Sequence, residues 1–183
     1  MKARRVKHLH PDTPLADALA RTITTRADEV FDFMPRAADP KHVEALHDMR
    51  IAAKRLRYVL EIAGDDAFGP YATTAGKRAK ELQDLLGEIH DCDVTLPRVR
   101  ALIAELDAAD AAAVLDAAAG AEDLDPALVA RAPHAGDYAG LHALATHLTA
   151  RRALLFGHFA TMWDDLQRQG FRARLDYALG ERP

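Results

Sequence analysis

At 183 residues the chain is long enough to bury one substantial core, and its 24 Lys and Arg against 28 Asp and Glu give a formal net charge of −4. That balance argues against a nucleic-acid coat, which is basic as a whole. Any anion site must therefore come from local segregation of charge. A single cysteine, Cys92, excludes an internal disulfide and suits a reducing cytoplasm, and no apolar run approaches the length of a membrane span.

The first twelve residues, ending at Asp12, form a basic arm. It has the charge of a signal n-region, but no apolar stretch follows it. It reads as a solvated tail or as an extra contact for an anion. Residues 13–183 read as a single helical domain. Thr13-Pro14 offers a cap and a first helical position, Leu15, Leu19, Ile23, Val30 and Phe31 keep a helical rhythm, and Pro35 is expected to end the first helix. Asp39-Pro40 opens the second, and Gly64 is a natural stop. Gly69-Pro70 introduces a third helix with Leu82, Leu85, Leu86 and Ile89 on one side. A fourth is expected from about Val94 to Ala119 with Pro97 in its first turn, capped by Asp91 and Asp93. Residues 120–137 read as a long loop, Tyr138–Gln169 as the longest helix, and Phe171–Leu179 as a short last one. No segment alternates with period two, so the fold class is all-α, an antiparallel bundle of about five to six helices.

Charge is segregated along this chain. Ala101 to Ala130 carry seven acids and no Lys or Arg, whereas bases gather at the ends and in the second helix. At about 100° per residue, His47, Arg50, Lys54 and Arg57 fall in one arc of that helix, with Met49, Ala52, Ala53, Leu56, Val59 and Leu60 opposite. Three fixed cations and one titratable ring in single file, with no acid among them, suit a polyanion. The alternative is a solvated charged face. In the long helix Arg152 projects from the apolar arc, flanked by His147, Arg151 and His158. An arginine there must find an anion, reach out to water, or pair with an internal Asp.

The string HxxRxxxKRLRYxLE over His47–Glu61, followed by LQDLLGEIHDCDV over Leu82–Val94, resembles the CHAD family, helical domains named for their conserved histidines. The likeness is strong from Val43 to Val94 and weak elsewhere. It implies an all-helical, non-catalytic binder of inorganic polyphosphate that uses basic helix faces around a groove or pore. It assigns contacts to His47, Arg50, Lys54, Arg55, Arg57, Lys77 and Lys80, with Arg151 and Arg152 as a weaker second half. Arg55 lies off the main stripe, so its role rests on the resemblance. The implied partners are polyphosphate, its granules, or a separate polyphosphate-metabolising enzyme in the cytoplasm, with no cofactor, membrane or specific nucleic acid. The CHAD family usually repeats its basic signature in two halves. Here only the first half carries the full string.

Two other classes stand beside this one. His47-Asp48 and His90-Asp91, with Asp93, are ligand types of a metal-dependent HD-type phosphohydrolase, although His and Asp in adjacent positions diverge by about 100° on a helix. A helical scaffold docking an acidic protein would also use a basic face. The signatures of a phosphate-binding P-loop, a GxSxG nucleophile and paired metal-binding cysteines are missing.

Overall fold

In a computed structural model, which describes residues 2–181 with the side chains of residues 65–67 excepted, helices account for 80% of the chain and no strand occurs among the described residues. The elements are α1 (Leu15–Ala37), α2 (Val43–Phe68), α3 (Pro70–Ala117), a 3₁₀ turn (Pro126–Arg131), α4 (Tyr138–Arg168) and α5 (Phe171–Gly180). The all-α expectation holds. Several boundaries differ. Pro35 lies inside α1, and Pro14 rather than Thr13 occupies the cap position. Asp39 caps a turn through the Lys41 amide at 2.9 Å, so α2 starts only at Val43. Gly64, with φ 57°, interrupts α2 as a glycine at a helix stop would.

The largest difference is α3. The third and fourth expected helices are one helix of 48 residues that passes through Pro97. A proline removes one backbone donor, but the alanine-rich sequence after it has enough helix propensity to carry the helix on. Asp91 and Asp93 consequently sit mid-helix and cap nothing.

Two compact units make up the chain: one runs to His90 and resumes at Leu154, and the other is Asp91–Ala153. In the first, α1 packs on α2 through Ile23, Ala27 and Val30 against the apolar face of α2, where Leu46, Met49, Ala53, Leu56 and Leu60 are buried. The periodicity of α2 predicted Met49, Ala52, Ala53, Leu56 and Leu60 on this face; Leu46 adds to it, and Val59 is only half-buried. Leu82, Leu86 and Ile89 of α3 join the core, as do Phe159, Trp163 and Leu166 of α4. Phe31 meets Trp163 with ring centroids 4.9 Å apart.

The basic arm is fastened to α1 and is not a solvated tail. The Arg4 amide donates to Glu29 Oε1 (2.5 Å), the Arg4 carbonyl accepts from Arg26 (2.9 Å), and the Arg4 guanidinium pairs with Asp32 (2.6 Å). Glu29 is fully buried and also receives the Arg26 guanidinium at 2.6 Å, so the carboxylate is satisfied from both sides.

In the second unit, Asp110 ties the connection between α3 and α4 in place. It accepts from the His134 amide (3.2 Å), His134 Nδ1 (2.7 Å) and the Tyr138 hydroxyl (3.0 Å). Burial pushes the Asp110 carboxyl up, but these hydrogen bonds outweigh it and hold it below the ordinary 3.8. Tyr138 is pushed up to about 12 by burial and by donating to that carboxylate. A group with a depressed folded pKa stabilises above its unfolded value, and the gain is lost as pH falls through the folded one. Asp110→Asn should therefore lower the melting midpoint by several degrees at neutral pH. In thermal melts the gap to the parent should narrow as pH falls below 3.8.

Candidate functional site

Two contacts and one close approach set the register of α2 against α3. His47 meets His90, Arg57 reaches Gln83, and a side chain at Gly76 would stand 3.6 Å from Leu60. Rising numbers on one helix match falling numbers on the other, so the two run antiparallel. The α3 face beside the stripe is then Gly76, Lys80, Gln83, Gly87 and His90, spaced by three and four residues. An interior glycine costs a helix roughly 0.5–1 kcal/mol relative to Ala. At Gly87 no neighbour requires it, because an added Cβ would meet nothing within 4 Å. Space is open above that position.

The structure places the stripe residues as follows. His47 is half-buried, with its Nδ1 3.3 Å from His90 Nδ1 and ring centroids 4.5 Å apart. In such a contact one ring must donate and the other accept, so at least one is neutral. Burial first, then His90 and the Arg50 guanidinium, hold the His47 imidazole below the ordinary 6.5; Asp48 opposes them. Arg50 is half-buried, and its Nε is sequestered without a hydrogen-bond partner. Lys54 is exposed, its ammonium 5.7 Å from the Tyr58 ring centre. Arg57 stands 5.5 Å from the same ring and donates to Glu61 at 2.6 Å, a bond that raises its pKa.

Near the end of α2, Lys77, Lys80 and Glu61 border a cleft of about 270 Å³. Lys80 also pairs with Asp84 at 2.5 Å.

One assigned residue of the first unit stands apart from this face. Arg55 points toward α1, with Nη1 4.0 Å from Glu29. Arg152 is committed to Asp93 through two bonds of 2.5 and 3.3 Å, the internal ion pair among the alternatives for it. It and half-buried Arg151 belong to the second unit. The HD-type arrangement does not assemble: no group of three or more His, Cys, Asp or Glu is positioned to hold a metal ion among the described residues. His47 and His90 do meet, but as neighbouring rings. Sequence reasoning singled out both histidines and left their contact unseen, because 43 residues separate them.

No helix is long and apolar enough to cross a membrane among the described residues. No curated protein and no solved structure matches the chain. A family model described as CHAD domain matches residues 2–100, which takes in the arm, α1, α2 and the part of α3 that carries Lys77, Lys80 and His90. With more than half its length matched, and with the motif on α2 that carries the likeness now seen as one basic helix face, the chain belongs to the CHAD domain family.

Proposed function

We propose that this protein binds inorganic polyphosphate along the basic face of α2 without turning it over, in the cytoplasm at polyphosphate granules or beside a separate polyphosphate-metabolising enzyme. The observation that carries the reading is Arg50: a half-buried guanidinium whose Nε has no acceptor, placed between the His47–His90 pair and exposed Lys54. A buried cationic donor without an acceptor is costly, and a phosphate oxygen would satisfy it. Family membership supports the same ligand, and the open space above Gly87 leaves room for a chain beside the stripe.

Polyphosphate repeats one negative group and presents no base edges, so a file of fixed cations needs no hydrogen-bond code to recognise it. Arg57 contributes less than Arg50, since it already spends a donor on Glu61. Lys77 and Lys80 extend the same positive region, and Asp84 offsets part of the charge of Lys80. Binding isotherms against polyphosphates of several lengths, with DNA of matched charge as a control, test the proposal. Saturable binding that tightens with chain length and exceeds DNA is expected; equal affinity for DNA would sink it.

The histidine pair makes binding depend on pH. In the free protein His47 titrates below its unfolded value, so falling pH through about 6.5 protonates the unfolded chain first and costs stability. A bound polyanion reverses that sign by favouring the charged ring. Affinity should therefore rise severalfold between pH 8 and pH 6. The double variant His47→Gln/His90→Gln should flatten that dependence in the same isotherms.

A further inference from the structure

A second cationic cleft lies on unit-one surface that the α2 stripe does not line. It has a volume of about 780 Å³ and is bordered by the arm, α1 and α5, including Arg5, Lys7, His8, Arg21 and the two acids Asp28 and Asp176. That size is within the range of small-ligand clefts.

The two acids do not cancel the bases. Arg172, from α5, donates to Asp28 at 2.5 Å and to Asp176 at 2.9 Å, so its single positive charge occupies both carboxylates and offsets one of their two charges. Arg4 is likewise spent on Asp32. Arg5, Lys7 and Arg21 remain as cations with no carboxylate partner among the described residues, and His8 adds a fourth charge when protonated. The backbone that carries Arg5, Lys7 and His8 is also held at two points. Arg4 fastens one end of the arm, and the Arg21 guanidinium donates to the His8 carbonyl at the other. His8 takes φ 58°, a left-handed conformation that non-glycine residues adopt seldom.

We infer that this cleft is a second anion site, separate from α2, for a compact oligophosphate group of two or three phosphates. Three fixed cations and one titratable ring outnumber the one carboxylate charge that Arg172 leaves unbalanced, an excess that suits an anion of several charges, such as a short phosphate chain, better than a carboxylate. The preorganised arm lowers the ordering cost of capturing the ligand. The same chemistry could be carried by a nucleotide or by a short inorganic chain.

Calorimetric titration of the full chain with ATP and with tripolyphosphate tests the site, using Arg5→Gln/Lys7→Gln beside Arg50→Gln/Lys54→Gln. The arm variant should weaken binding of the triphosphate probe by about tenfold or more, while the α2 variant stays within a few-fold of the parent. A long polyphosphate should show the reverse ranking. Tighter binding of ATP than of tripolyphosphate identifies a nucleotide source, and the opposite order identifies an inorganic one; either supports the site. Both lysine- and arginine-altered proteins should melt like the parent, which excludes misfolding. The inference is overturned if neither probe binds below the millimolar range, if the arm variant binds as the parent does, or if the α2 variant alone loses the probes. Failure of long-chain binding in the parent would instead refute the α2 proposal and leave this one standing.

Discussion

Replacing Arg50 and Lys54 together by Gln should cost about 100-fold or more in affinity for long-chain polyphosphate while leaving thermal stability unchanged or slightly higher. A well-formed charge-assisted contact contributes roughly 1.5–3 kcal/mol, so two amount to about 3–6 kcal/mol, or two to four decades in Kd. The stability half of the expectation comes from Arg50. Its Nε is buried without a partner in the free protein, so removing it relieves a desolvation penalty and breaks no bond. Gln keeps nearly the same helix propensity as Arg and Lys. A residue retained at a cost to the free fold and needed by the ligand is the signature of a binding group. The matched control is Arg5→Gln/Lys7→Gln, which also moves the formal net charge from −4 to −6 by removing two cations. Arg4 is unsuitable for that control because it anchors the arm through Glu29 and Asp32. Equal losses of long-chain affinity in the two variants would mean that overall charge governs binding and that the α2 face has no special role.

What the sequence made legible is what depends on neighbours a few residues apart. The apolar face of α2 and its basic arc follow from spacing alone, and Met49, Leu56 and Leu60 are buried as that spacing requires. The family likeness rested on the same segment, so it was strongest where periodicity was clearest. What stayed hidden needed a partner from far along the chain. His47 finds His90 across 43 residues, Arg152 finds Asp93 across 59, and Arg4 finds Glu29 across 25. The arm looked solvated because its only local feature is charge; Glu29 in the interior of α1 gave no sign that it needed the Arg4 amide. Pro97 misled for a different reason. A single proline is a strong local stop signal, but about twenty following residues, mostly helix formers, outweigh it in aggregate. Arg55 is the instructive case within the motif. Its position off the stripe was visible from the 100° rule, and the structure turns it toward Glu29.

Raising salt from 50 to 200 mM should weaken long-chain polyphosphate binding by about 15- to 60-fold. A flexible polyanion releases condensed counterions as its phosphates are neutralised, with log K falling by roughly 0.7 per contact for each unit of log salt. Arg50, Lys54 and Arg57 with one protonated histidine make three to four such contacts, so the slope should lie near −2 to −3. The prediction has internal structure that a generic basic surface lacks. Arg50→Gln/Lys54→Gln should reduce the slope by about 1.4, because two contacts are gone, whereas Arg5→Gln/Lys7→Gln should leave it unchanged. At pH 8 the slope should be shallower than at pH 6, where the ligand draws a proton onto the His47 ring, which burial, His90 and Arg50 hold below its ordinary value in the free protein. Isotherms at four salt concentrations and two pH values measure all three effects. A slope near zero would remove the cation file as the source of affinity and point to recognition through a bound metal, which addition of a chelator would then expose.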